Sequence, residues 1–443
     1  MWVTNQLEGG AETYNISPTF RLRGPLDQPA LVAAIGDIVT RHEILRTTYV
    51  TDENDEPHQR ILPAGEALAQ VRVPVVDVTS EGLAGAVDEV IAHRFDLANE
   101  IPVRVSLFRL SPEEHLLVLV IHHIATDGVS GAPLARDLTA AYTARQDGRA
   151  PQWEPLPLQY KDYALWQREL LGDVTDPGSL AARQAEYWRA ELADVPQPLT
   201  LPLDRPRPAE RSPRGDKVGI VAGPEVAARL QKLADERGMT MAMVMQAALG
   251  VLLRKLGAEE SVTVGNPIAG RTDEALADLI GFFVNTQVLR MDVSGDPSFT
   301  DLLTQVRDKM LAAYEHQDIP FEMLVELINP ERSAAYQPLF QVGFAWQNWA
   351  TRELEFPGLK VEFEQHLTST AVFDLFFSLT TDESGAVRGD LMYATQLFDR
   401  DTAEAIATRY VRVLEQLAAD PRVSVGAVDV LGAAEREWLV WEA

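Results

Sequence analysis

The chain has 443 residues, more than one ordinary hydrophobic core accommodates, so two or three packed units are expected. Its 46% hydrophobic and 24% charged residues fit a soluble globular protein, and its net charge of −27 argues against a nucleic-acid-binding surface. No apolar run approaches the ~18 residues that would span a membrane, no basic segment followed by an apolar run marks a secretory signal, and the absence of cysteine removes disulfides and thiolate chemistry and fits a reducing, cytoplasmic setting.

Met1-Trp2 reads as the end of a helix with no cap before it. Leu31, Ile35, Ile38 and Val39 share one face of a helix expected over 30–42. Residues 45–50 and 59–62 flank a polar turn and predict a hairpin. A helix is expected over 83–93. Two strands, 103–110 and 116–122, follow, and then a helix over 133–146 with proline in its first turn. Prolines crowd residues 147–215, which hold one amphipathic helix over 180–192 and read as the connection between two lobes. Beyond them the pattern predicts a strand over 217–221, helices over 224–237 and 240–256, and a strand over 261–264. A long helix covers 299–316. Strands over 339–346, 361–365, 373–380 and 387–393 precede a final helix over 401–417. A last helical pattern over 434–439 begins without a closing cap, so the chain is expected to be a piece of a longer polypeptide. The two halves share a strand–helix flavour that suggests an old duplication.

The segment Ile121-His122-His123-Ile124-Ala125-Thr126-Asp127-Gly128-Val129-Ser130 carries the chemistry. The apolar run 116–121 delivers two histidines into a short connection. Gly128 and Gly131 are expected to permit backbone conformations closed to other residues. Side chains alternate along a strand, so His122 and His123 point to opposite sides, one toward a cleft and one into packing. Taken alone, a His–His pair is more often a packing feature than a catalytic one. A metal site is not expected, because adjacent histidines on opposite faces do not converge on one ion and no third nitrogen ligand is evident. The Gly128-Val129-Ser130-Gly131 run is not a G-x-S-x-G elbow, and no phosphate-binding glycine loop occurs.

The segment from His122 to Ser130 resembles the HHxxxDGxS signature of condensation domains of non-ribosomal peptide synthetases, and further family motifs follow in order. Arg41-His42-Glu43-Ile44-Leu45-Arg46-Thr47-Thr48-Tyr49 is similar to RHExLRTxF, and Tyr160-Lys161-Asp162-Tyr163-Ala164-Leu165-Trp166 to YxDYAxW. The run from Ile280 to Arg290 resembles IGxFVNTxxxR, and the run from His316 to Glu322 resembles HQDxPFE. Glu331-Arg332-Ser333 with Pro338-Leu339 keeps only the frame of RDxSRxPL. Asn285, Thr286 and His316 also read simply as turn and helix-end residues.

The resemblance implies an α/β (α+β) fold of two chloramphenicol-acetyltransferase-like lobes, a V-shaped pseudo-dimer with the active site in a tunnel between them. It implies an N-terminal lobe over 1–170, a linker and helix over 171–215, and a C-terminal lobe over 216–443 with a bridging segment near 268–290. The activity implied is amide bond formation between donor and acceptor thioesters carried on 4'-phosphopantetheine arms of peptidyl carrier proteins, with no cofactor of the domain's own. A downstream adenylation domain is the expected neighbour, with neither nucleic acid nor membrane as partner. His123 is then the group that positions the amine or accepts its proton, and a backbone N–H near Gly128 the oxyanion donor. His122 packs, and Asp127 forms a structural ion pair with Arg41 or Arg290. Intact His122 and His123 oppose a heterocyclisation domain. An acyltransferase using coenzyme A would not need two carrier-protein faces. An epimerisation-type domain and a non-catalytic recruitment domain of the same family are the alternatives. Arg136-Asp137-Leu138, Ala140-Ala141-Tyr142 and the stretch 167–180 resemble domains that take a D-configured donor.

Overall fold

The computed structural model describes residues 1–2, 5, 14–347, 354–365, 370–432 and 435–437. Of the helical pattern expected over 434–439, residues 434, 438 and 439 lie outside this set. The architecture is mixed α/β and divides into two compact units. One comprises Met1–Leu170, Ala269–Val284 and Trp349–Thr368, and the other Leu171–Ile268, Asn285–Asn348 and Ser369–Ala443.

In the first unit the strands are β1 (Asn15–Ile16), β2 (Pro18–Arg23), β3 (Thr47–Thr51), β4 (Pro57–Ile61), β5 (Val75–Asp77), β6 (Val103–Ser111) and β7 (Glu114–His122), joined by a later strand, Lys360–Gln365. Its helices are α1 (Gln28–Arg41), α2 (Ala64–Leu68), α3 (Leu83–Ile91), α4 (Gly131–Gln146) and α5 (Tyr160–Leu171). Helix α1 starts where the Asp27 side chain accepts from the Ala30 N–H, with proline in the first turn. Strands β3 and β4 form the expected hairpin. Strand β7 lies inside the sheet and is buried on both faces. Leu117, Leu119 and Ile121 join one apolar cluster, and Leu116, Val118 and Val120 another. That double burial is why the sequence there is a continuous apolar run rather than an alternating one.

The second unit contains α6 (Leu180–Glu191), β8 (Gly215–Ala222), α7 (Pro224–Glu236), α8 (Met241–Lys255), β9 (Ser261–Ile268), β10 (Asn285–Asp292), α9 (Phe299–Glu315), α10 (Phe321–Ile328) and β11 (Val342–Trp346). After β12 (Lys360–Gln365) come β13 (Leu375–Thr381), β14 (Val387–Ala394) and α11 (Arg400–Ala419). A capping box between Ser298 and Asp301 opens α9. Helix α8 is apolar nearly all round because it is buried in the core of this unit.

The suggested duplication has a counterpart in the topology. The first sheet runs β12-β2-β7-β6-β5, with β6 and β7 as an antiparallel hairpin and β5 parallel to β6. The second runs β10-β9-β11-β13-β14-β8, with β13 and β14 as the antiparallel hairpin and β11 parallel to β13. In each unit a helix follows the first strand of the motif and another follows the hairpin, and the two pack together: α1 with α4, and α7 with α11. The loop from β7 to α4, which holds His123, therefore corresponds to the loop from β14 to α11.

Strands β1, β2, β5 and β10 and helices α2 and α10 lie where no element was expected, and two further elements differ from their reading. Tyr160–Leu171 is a helix, although the proline-rich surroundings read as a connection. Strand β12, expected among the strands of the second half, pairs with β2 as an edge of the first sheet. There Phe363 faces Phe20 at 5.6 Å, and Arg21 and Arg23 pair with Glu364 and Glu362. Such long-range partners leave no mark in local periodicity.

Candidate active site

Strand β7 ends at His122, and His123–Ala125 turns back as one 3-10 turn. The two imidazoles separate as expected, although His123 lies in the turn beyond the strand rather than in it. His122 is fully buried, its Nδ1 accepting from the Ile124 N–H at 3.1 Å and its ring edge-on to Phe95 at 6.0 Å. Burial, reinforced by the neighbouring His123, depresses it from 6.5 to about 4, so it stays neutral at physiological pH.

His123 is only partly buried. Its Nδ1 lies 2.6 Å from the Thr126 carbonyl oxygen. A carbonyl can only accept, so Nδ1 carries the proton, and in the neutral ring Nε2 holds a bare lone pair. Among the described residues Nε2 has no hydrogen-bond partner. Burial lowers the imidazole below its ordinary range, against the opposing pull of the Thr126 bond and the Asp127 charge. This is a fixed, neutral hydrogen-bond acceptor.

Asp127 is fully buried and saturated. Its Oδ1 accepts from the Ser130 N–H at 2.8 Å, the Ser130 hydroxyl at 2.7 Å and the Arg271 guanidinium at 3.0 Å, while its Oδ2 accepts from the Phe283 N–H at 3.1 Å. The cation paired with Asp127 is thus Arg271, not Arg41 or Arg290. Arg41 donates to Asp137 at 2.8 Å and to the Glu154 carbonyl at 2.9 Å, with its guanidinium over the Trp153 ring. Arg290, in the second unit, donates to Ser261 Oγ and to the carbonyls of Glu191 and Ala193. Asp137 also accepts from Arg136 and sits 2.9 Å from His42 Nε2. Burial would raise its carboxyl, but the bonds from His42 and Arg136 win and hold it down at about 2.

Arg271 belongs to the segment 269–284, which closes on the His123 loop within the first unit. It also donates to the Leu276 and Leu279 carbonyls and to Ser130 Oγ, and lies 4.0 Å from the centre of the Phe283 ring. Gly270 takes φ +63°, and a Cβ there would come 1.9 Å from the Phe283 carbonyl oxygen, so this turn requires glycine. Ser130 Oγ accepts from the Gly281 N–H at 3.1 Å, and its single proton is shared between Asp127 and the Gly281 carbonyl, 3.0 Å away. The Tyr160 hydroxyl donates to the Phe282 carbonyl at 2.6 Å. Phe282 then meets the His123 ring edge-to-face, centroids 5.2 Å apart.

Sequence reading missed Arg271, Tyr160 and Phe282 as parts of this site. Ala269-Gly270-Arg271 just after a strand was the available mark, but pairing it with Asp127 needs a contact across 144 positions. Gly128 and Gly131 do not use the left-handed backbone expected of them; Gly131 is simply the first residue of α4. Gly128 makes a polar contact of its own. Asn285 donates to the Gln317 and Ile319 carbonyls and accepts from the Phe321 N–H, and His316 ends α9 stacked on Tyr187 at 4.0 Å. His316 is the helix-end group its simpler reading had it, whereas Asn285 opens strand β10, paired with Ile268, rather than ending a strand in a turn.

A family model described as Condensation domain matches residues 1–440. Over 440 residues the chain is 48% identical to a probable non-canonical nonribosomal peptide synthetase, CymA, of Salinispora arenicola, covering 99% of this chain and 6% of that protein. It is 44% identical over 450 residues to a dimodular nonribosomal peptide synthase of Bacillus subtilis, covering 100% of this chain and 19% of the relative. The chain thus spans less than a fifth of either relative. Among solved structures, the X-domain from teicoplanin biosynthesis superposes with a TM-score of 0.90 at 38% identity, over 97% of this chain and 95% of that one. The first condensation domain of the calcium-dependent antibiotic synthetase gives 0.77 at 23% identity, covering 97% of each, a likeness of fold.

Proposed function

The chain belongs to the condensation-domain family of nonribosomal peptide synthetases, and we propose that it catalyses attack of an acceptor aminoacyl thioester amine on a donor acyl or peptidyl thioester, both delivered on phosphopantetheine arms of carrier proteins. One observation supports the reading: the Thr126 carbonyl accepts a hydrogen bond from the Nδ1–H of His123 and leaves Nε2 as a bare acceptor on a partly buried residue.

The chemistry asks for little base strength at the outset. An α-amine of pKa about 7.7–8.0 is roughly a tenth neutral at pH 7. Nε2 accepts a hydrogen bond from that amine and orients its lone pair toward the thioester carbon. As the C–N bond forms, the nitrogen becomes positive and the carbonyl oxygen negative. His123 then stabilises the ammonium or takes its proton, and the thiolate of the donor arm leaves with a proton. The α4 N-terminus, just past Gly128, points its positive dipole end toward this loop and favours the oxyanion. Asp127 is spent on Arg271, Ser130 and Phe283, so its role is to hold the loop rather than to act as a base.

Incubation with carrier proteins loaded with donor and acceptor tests the proposal. Amide product, detected by mass spectrometry and lost in His123→Ala, is the expected result; full product from His123→Ala overturns it. The donor is proposed to be D-configured, supported by the Arg136-Asp137-Leu138 and Ala140-Ala141-Tyr142 stretches. Donors differing only in terminal stereochemistry decide this. The likeness to the teicoplanin X-domain, which has also been solved in complex with OxyB, favours a second reading: a recruitment platform that binds another protein. Carrier or partner binding without amide product would establish it. A stereo-inverted residue on a single carrier would instead identify an epimerisation-type domain.

A further inference from the structure

We propose that Phe282 is a positioning and specificity-determining residue of this reaction, its ring forming the apolar wall that sorts the acceptor's α-carbon substituent by size beside His123. The inference rests on the reading of His123 given above.

The backbone around Phe282 is held from three directions. Gly281 is bonded through both its N–H and its carbonyl to Ser130 Oγ, at 3.1 and 3.0 Å. The Phe283 N–H is bonded to Asp127, and the Phe282 carbonyl to the Tyr160 hydroxyl. A Cβ on Gly281 would lie 2.2 Å from the Tyr160 ring, so the chain has no room to shift there. Its neighbours serve packing: Ile280 lies in the core of the first unit, and Phe283 in the cluster with Tyr163, Leu276 and Leu279. Phe282 joins none of the hydrophobic clusters among the described residues and stays partly exposed. Its ring contact is the His123 imidazole, at 5.2 Å and 89°.

A large apolar ring fixed this firmly outside any core has a use beyond packing. It excludes water from one side of the imidazole and presents a rigid surface to whatever occupies Nε2. Pockets bounded by such a ring discriminate substituents one methylene apart. The titratable and charged groups around the imidazole are Asp127 and His122 from its own loop, and Arg271 and Tyr160 from the elements packed against that loop. Arg271 pairs with Asp127 and offsets its charge, and burial keeps His122 and the Tyr160 phenol neutral. Water exclusion is then what chiefly keeps the imidazole unprotonated, and losing the ring readmits water and favours the charged form.

The test uses Phe282→Ala and, as the variant that retains apolar bulk should alanine fail to fold, Phe282→Leu. Each is assayed with one fixed donor and with carriers bearing glycyl, alanyl or valyl acceptors, and the His123 ring is titrated by NMR. The expected result is a change of about tenfold or more in the valyl-to-glycyl rate ratio, together with an upward move of the His123 titration toward 6.5. Support requires both; anything less in a folded variant, complete inactivity included, overturns the inference. A parallel His123→Ala assay separates the two levels. If that variant still makes amide, the reading of His123 fails. If it is inactive while the Phe282 variants match wild type, only the present inference fails.

Discussion

The acceptor role proposed for His123 requires an unprotonated Nε2, and burial extends that state below the ordinary histidine range. Amide formation is therefore expected to persist as pH falls past 6.5 and to decline only at more acid values, apart from the smaller fraction of neutral amine. A pH–rate profile corrected for amine ionisation checks this. His122 adds a stability effect of definite sign. The unfolded chain takes up a proton at this residue below 6.5, and the folded chain resists until about 4. Stability is thus fully present above 6.5 and lost as pH falls toward 4, by roughly 3 kcal/mol from this group. Denaturant melts at pH 7 and 4.5, compared between wild type and His122→Phe, should show the smaller drop in the variant. Arg271→Ala leaves the Asp127 carboxylate buried without its cation and should cost about 3–5 kcal/mol in the same melts. Arg271→Lys recovers little, because one ammonium cannot reach Asp127, Ser130 and two carbonyls at once.

At the scale of elements, the site is a junction of three pieces distant in sequence: the end of β7, the segment 269–284 and the start of α5. Gly281 lies where they meet. Its replacement by alanine drives a methyl into the Tyr160 ring and should cost about 1–3 kcal/mol. The amide-forming rate should fall further than the melt implies, since the shift passes to Phe282 and thence to His123. Tyr160→Phe removes only the bond to the Phe282 carbonyl, worth about 1 kcal/mol. Comparing the two variants by melting and by rate separates the steric contribution from the hydrogen bond.

At the scale of the whole molecule, a net charge of −27 repels any acidic carrier protein at long range. Docking of the carriers proposed for it would then come from local contacts, and added salt screens the repulsion while leaving apolar contacts intact. The KM for an acidic carrier is expected to fall between about 10 and 150 mM salt; a rise would point to a basic docking patch. No described helix is long and apolar enough to cross a membrane. The doubled topology of the two sheets explains why both halves of the sequence have the same rhythm, although only the loop after β7 carries the paired histidines.

The sequence by itself determined most elements, because amphipathic helices such as α1 and the buried hairpin of β6 and β7 are written in local periodicity. It also anticipated the opposite fates of His122 and His123, although the strand ends between them and the turn, not alternation, carries His123 away. Helix α5 and the docking of β12 on β2 were beyond it, because proline-rich surroundings obscured the first and partners hundreds of residues away define the second. Only the tertiary structure decided that Asp127 meets Arg271 and that Phe282 faces His123. A buried charge takes whichever opposite charge the fold brings within hydrogen-bonding distance, and that choice depends on how the segment 269–284 returns to the first sheet.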